Sequence, residues 1–121
     1  MADEVRDPRS SWTFLTQHAR VLLMISQDAD VRVRDLAAAT EMTERAVQAV
    51  LGDLEKAGYV TRARVGRRNH YRITRGTHFR HPAEARHEIA GLLTFFAAMN
   101  ADADTHAYGE AGEGNDDRTE P

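Results

Sequence analysis

The sequence predicts an α+β chain, mainly helical, in which helix, tight turn and helix lead into a short two-stranded hairpin and a C-terminal helix. Three observations carry this expectation. Apolar residues recur at helical spacing as far as residue 57. From Tyr59 the period drops to two, as a strand requires. A broad apolar stripe at helical spacing follows Pro82. The chain has 121 residues, enough for one small domain. It contains no cysteine, which excludes a disulfide scaffold, a thiolate metal site and a cysteine nucleophile.

Residues 1–11 read as a flexible arm, acidic and polar, with Pro8 before the first apolar cluster. The domain proper is expected over residues 12–99. Thr16 suits the N-cap of a helix over residues 17–27, whose apolar face is Val21, Leu22 and Ile25. Val31, Arg32 and Val33 alternate and are expected to form a strand of about three residues. Residues 34–40 are alanine-rich and helix-prone, with Leu36 and Ala37 facing inward. Met42 is the expected buried member of the polar turn that follows. Thr43 suits the N-cap of a helix running to Ala57, and Gly58 stands where a left-handed residue ends it. Two strands then flank a turn over residues 66–69. Such a hairpin is too short to be stable alone, so it must pack on the helices. A linker ends at Pro82, which can open a helix at its first turn, here over residues 82–99. Residues 100–121, rich in Asp, Glu and Gly, read as a disordered acidic tail.

The net charge of -3 hides a strong asymmetry. Residues 1–99 carry +3 and residues 100–121 carry -6. Between residues 60 and 81 stand seven arginines and no acid: Arg62, Arg64, Arg67, Arg68, Arg72, Arg75 and Arg80. Such a run repels itself in a free chain and fits a polyanion. The alternative is that these arginines pair with Asp53, Glu55 or the tail. Arg62, Arg64 and Arg72 are expected on the outward face of the hairpin, and His70 beside its tip as a backbone or phosphate contact. On the helix from Thr43, Val47, Val50, Leu51 and Leu54 form a narrow apolar face. Opposite stand Arg45, Gln48 and Ala49, with Glu44 on the flank. Arg can grip guanine O6/N7 and Gln adenine N6/N7 in the major groove, and Glu can accept from cytosine N4.

The run VRVRDLAAATEMTERAVQAVLGDLEKAGYVTRARVGRRNHYRIT resembles the winged helix-turn-helix of bacterial transcriptional regulators of the MarR and ArsR group. The core of the likeness is RDLAAATEMTERAVQAVLGDLEKAGYV, and the whole spans roughly residues 12–75. The resemblance implies Thr43, Glu44, Arg45 and Gln48 at the major groove. It also implies Arg64, Arg67, Arg68 and Asn69 on a wing at the minor groove or on phosphates. The chain lacks the paired cysteines of metal-sensing ArsR members and is short for a MarR-type protein.

The expected function is therefore sequence-specific binding of double-stranded DNA by a homodimeric transcriptional regulator. The alternatives are a winged-helix protein-interaction module and an effector- or metal-gated sensor. The candidate DNA contacts are Thr43, Glu44, Arg45, Gln48, Ala49, Arg62, Arg64, Arg67, Arg68, Asn69 and His70. The C-terminal helix is expected to dimerise through Ile89, Leu92, Leu93, Phe95, Phe96 and Met99, together with Trp12 and Leu15. No cofactor and no metal is expected. His78, His81 and His87, with Glu84 and Glu88, fit surface or backbone roles more readily than convergent ligands. No phosphate-cradling glycine loop, G-x-S-x-G elbow or H-E-x-x-H helix is present, so no enzyme is expected. Lacking a secretory pattern or a long apolar run, the protein is expected in the cytoplasm, associated with the nucleoid.

Overall fold

The computed structural model describes residues 11–112. Their order is α1 (Gln17–Gln27), α2 (Val33–Thr40), α3 (Glu44–Lys56), β1 (Val60–Val65), β2 (Arg68–Ile73) and α4 (Ile89–Gly112). The chain divides into two compact units, Met1–Ile73 and Thr74–Pro121. The arm expected over residues 1–11 lies outside the described residues, save for Ser11.

In the first unit the local signals act as the sequence predicts at two helix starts. Thr16 Oγ1 accepts from Ala19 N at 3.1 Å and opens α1. Thr43 Oγ1 accepts from Ala46 N at 3.0 Å and opens α3. The strand expected over residues 31–33 does not form, and α2 begins at Val33 instead. The carbonyl of Arg32 already accepts from Asp35 N and Leu36 N, each at 3.0 Å, so the backbone turns helical one residue later. A trace of strand-like pairing survives just upstream, where Tyr71 N donates to Ala29 O at 2.8 Å.

Each helix of the helix-turn-helix ends on a left-handed residue. At α2 this is Glu41, with φ of 59°, and the N–H groups of Glu41 and Met42 both close on Ala37 O. Met42 is half-buried rather than buried. At α3 Gly58 takes φ of 86°; Gly58 N bonds Glu55 O at 3.0 Å and Tyr59 N bonds Leu54 O at 2.9 Å. This pair of bonds is the Schellman motif, and it points the chain straight into β1.

β1 and β2 are antiparallel, in register from Val60↔Ile73 to Val65↔Arg68. The loop is Gly66 and Arg67 alone, tighter than the four-residue turn expected over residues 66–69. Gly66 has φ of 63°, the first-position glycine of a type II′ hairpin. Val60, Arg62 and Arg64 share one face with Tyr71 and Asn69; Thr61, Ala63 and Val65 share the other with Arg72, His70 and Arg68. Arg72 therefore does not lie on the same face as Arg62 and Arg64.

The core is where α1, α2 and α3 meet the sheet. Val21, Leu36, Val47 and Leu51 have no exposure at all, and Val60, Tyr71 and Ile25 almost none. Thr40 is the buried polar residue, satisfied by its Oγ1 donating to Leu36 O at 2.7 Å.

The second unit departs from expectation at both ends of its helix. Residues 82–86 form turns, and α4 starts at Ile89 rather than at 82. The reason is a closed loop. His78 and Glu88 form an antiparallel bridge, with Phe79 N bonded to His87 O and Ile89 N bonded to Thr77 O. These bonds hold the backbone before residue 89 in another shape. At the far end α4 continues to Gly112, so the tail expected to be disordered from residue 100 is helical to that point. Alanine at 97, 98, 101, 103, 107 and 111 explains the extension, because alanine is the best helix former. The remainder of the tail lies outside the described residues. Among the described residues no helix is long and apolar enough to cross a membrane.

Glu41 carries a Cβ in a region that favours glycine. Glu41→Gly is expected to raise unfolding stability by about 0.5–1 kcal/mol, measured by urea denaturation.

Candidate nucleic-acid interface

The site is assembled from two neighbouring elements of the first unit. α3 buries Val47, Val50, Leu51 and Leu54, and this fixes its rotation. Thr43, Glu44, Arg45, Gln48 and Ala49 are consequently all exposed, over the first two turns of the helix. Thr43 spends its hydroxyl on the cap. Arg45 and Gln48 carry no ion pair or side-chain hydrogen bond among the described residues, so their donors and acceptors are free to reach a ligand.

The hairpin follows α3 after three residues and packs on it. Arg64, Arg67 and Arg68 are exposed, and Asn69 and His70 are half-buried. Arg64 and Arg67 have no acidic partner among the described residues. Arg68 Nη1 donates to a carbonyl, Asp30 O, at 3.3 Å. Gly66 sets the loop so that Arg67 stands at its tip.

Two of the expected contacts have partners within the fold. Arg62 is not on an outward, unpaired face. Its Nη2 donates to Glu55 Oε1 at 2.7 Å and its Nε to Glu55 Oε2 at 3.1 Å, a fork-to-carboxylate pair between β1 and α3. The hydrogen bond to Glu55 raises the Arg62 pKa further above its already high range, against a smaller desolvation by burial. Of the acids weighed as arginine partners, Glu55 takes that role, whereas Asp53 Oδ2 lies 2.8 Å from His18 Nε2 on α1. His70 is likewise engaged within the fold: its Nδ1 lies 2.8 Å from Asp30 Oδ1.

Asp30 is a residue that the sequence reading missed. It stands in the turn between α1 and α2, where its own N–H donates to Asp28 Oδ1 at 3.0 Å. With Tyr71 N on Ala29 O, three bonds tie β2 to this turn. The side chains involved are about 40 residues apart, so nothing local in the sequence announces the contact. Arg32 was missed for the same reason. It is exposed and lines a groove together with Arg67 and Arg68.

The histidines of the second unit serve its loop. His78 Nδ1 lies 2.9 Å from Ala85 O, and His81 Nδ1 accepts from Ala83 N at 3.0 Å. Among the described residues no group of three His, Asp or Glu could hold a metal ion.

The apolar residues expected at a dimer contact divide sharply. Trp12, Phe95 and Met99 are exposed, at 67%, 57% and 49%. Leu15, Leu92, Leu93 and Phe96 are half-buried. Ile89 is buried within the chain and is not part of an open face. Phe95 and Phe96 meet edge to face at 5.3 Å, as do Trp12 and Phe14 at 5.0 Å.

Helix-turn-helix followed by a two-stranded wing defines a winged helix-turn-helix protein. Residues 13–68 match the model of the MarR family, from just before α1 to the start of β2. The match covers α1, α2, α3 and β1, the helix-turn-helix and the first strand of the wing. Among solved structures the chain is similar to the Mycobacterium tuberculosis MarR family protein Rv2887 in complex with salicylic acid. Identity is 34%, over 50% of this chain and 48% of that one, with a TM-score of 0.43. The chain thus spans about half the length of that relative. It is also similar to MepR, a transcription regulator of the Staphylococcus aureus multidrug efflux pump MepA (18% identity, 81% and 66% coverage, TM-score 0.48). A third is Mb0332 from Mycobacterium bovis, a possible ArsR-family regulator whose winged helix-turn-helix domain is homodimeric (24% identity, 83% and 77% coverage, TM-score 0.44). No curated protein matches the chain.

Removing Glu55 strands a half-buried guanidinium. Glu55→Ala is expected to lower stability by about 1–2 kcal/mol in urea denaturation. Because the pKa of Arg62 is raised, the arginine's share of this pair is fully present below its ordinary range and is lost only as pH rises through its folded value. The difference between wild type and Arg62→Ala should therefore not narrow between neutral and mildly alkaline pH.

Proposed function

We propose that the protein is a homodimeric transcriptional regulator that binds double-stranded DNA in a sequence-specific manner, and not an enzyme. The observation that carries this reading is the pairing of two exposed surfaces on one compact unit. The first two turns of α3 are exposed and polar, and the adjoining wing presents arginines without acidic partners. Arg45 and Gln48 read base edges in the major groove, with Glu44 beside them and Ala49 allowing close approach. Thr43 and the free amides at the start of α3 favour a phosphate. Arg64, Arg67, Arg68 and Asn69 lie along the adjacent minor groove or its phosphates and supply salt-dependent affinity. Arg62 and His70 are positioning residues: they hold the wing to α3 and to the α1–α2 turn.

The exposed aromatic and methionine side chains support self-association. Phe95 and Met99 on α4, and Trp12 before α1, are large apolar groups in water. A two-fold dimer would present its recognition helices to successive turns of one face of the duplex, about 34 Å apart. The working place of such a regulator is the cytoplasm, on the nucleoid.

Selection of bound fragments from random duplexes should return a palindromic motif with half-sites about one helical turn apart. Gln48→Ala should change the preferred sequence. Arg67→Ala with Arg68→Ala should weaken binding to all sequences and reduce the salt slope by about two. An unchanged motif with Gln48→Ala overturns the base-reading assignment. Phe95→Asp should shift the protein from dimer to monomer in sedimentation at micromolar concentration, with helix content retained.

A further inference from the structure

A groove of about 320 Å³ lies between residues 30–33 and the wing. Arg32, Arg67 and Arg68 line it, together with Asp30, Val33 and Tyr71. All three guanidinium groups are on exposed residues. Arg32 and Arg67 have no acid within ion-pair distance among the described residues, and Arg68 reaches only the carbonyl of Asp30. Three like charges around one groove repel unless an anion sits among them. Asp30, whose Oδ1 lies 2.8 Å from His70 Nδ1, brings one carboxylate to the lining and leaves the guanidinium groups in excess.

One further feature suits an anion. Arg32 is the N-cap of α2 and makes no side-chain cap, unlike Thr16 at α1 and Thr43 at α3. The first amides of α2 thus have no side-chain acceptor, and Val33, the first residue of that helix, lines the groove.

We propose that this groove is a phosphate seat, in which Arg32, Arg67 and Arg68 together grip one phosphodiester of duplex DNA and Asp30 acts as the positioning residue. The proposal rests on the DNA-binding reading above and adds a contact from α2 to it. Guanidinium forks match the geometry of phosphate oxygens, and three arginines from two parts of the fold line this one groove. Asp30 sets their spacing. Its carboxylate holds His70 and its carbonyl holds Arg68, so the wing side of the groove is fixed relative to Arg32.

The test is duplex affinity of the full chain as a function of salt, with Arg32→Ala, Arg67→Ala and, as a control, Arg86→Ala in the second unit. Arg32→Ala should weaken binding about three- to tenfold on every sequence alike, and reduce the slope of log affinity against log salt by about one. Arg86→Ala should leave both unchanged. Arg32→Gln, which keeps most of the stem, replaces the alanine variant if that variant melts earlier than wild type. Inorganic phosphate, added at constant ionic strength, separates the two sources of the anion. It should displace duplex from wild type more than chloride does, and lose this advantage with Arg32→Ala. If Arg32→Ala and Arg32→Gln bind as wild type while Arg67→Ala does not, the seat is overturned and the DNA-binding reading stands. Saturable binding of phosphate with no effect of Arg32 on duplex affinity also overturns it, assigning the groove to a free anion. Absence of any salt-dependent duplex binding by wild type overturns both.

Discussion

The burial of one narrow stripe on α3 is the constraint on which the rest of this structure depends. Val47, Val50, Leu51 and Leu54 leave that helix a single rotation at which its apolar side meets α1, α2 and the sheet. A helix has only one opposite face, so fixing the inside fixes what is offered to solvent. The polar first turns of α3 are presented because four residues on the other side are hidden, at a burial gain of about 1.5–3 kcal/mol for each large side chain. The wing inherits the same reference. Its first strand begins where the Schellman motif at Gly58 releases the chain from α3.

Polar bonds then refine what burial has set. Glu55 and Arg62 join helix to strand, and Asp30 joins the turn after α1 to β2. Neither bond is deeply buried, so each contributes orientation more than bulk stability. Together they divide the basic residues into two groups. Arg62 and His70 are committed to the fold. Arg64 and Arg67 are not, and Arg68 is only partly so.

Much of this was legible in the sequence, because the informative signals were local. Thr16 and Thr43 announce helix starts and Gly58 a stop, each through bonds that span a few residues. The change of period at Tyr59 announces the wing. Errors arose where a distant partner decided the outcome. Alternation at Val31, Arg32 and Val33 resembles a strand, but a strand needs a neighbour along its whole length, and here only Ala29 O finds one in β2. Alternation within each strand leaves open which face Arg72 shares; the two-residue loop sets it on the face opposite to Arg62. Pro82 looked like a helix start, yet the bridge between His78 and Glu88 defers the helix to Ile89. The roles of Asp30 and Arg32 depend on contacts across nearly 40 residues, which no window along the chain contains.

The loop of Gly66 and Arg67 has a further consequence for how this wing can vary. With two residues in the bend there is no slack to absorb a change in strand length. One residue inserted within β2 would turn Tyr71 out to water and bring the guanidinium of Arg72 toward the core. Two residues added to each strand would preserve the alternation and merely lengthen the arm by about 7 Å. Descendants of this chain can therefore extend their grip in pairs of residues, while single-residue steps in that strand are closed to them.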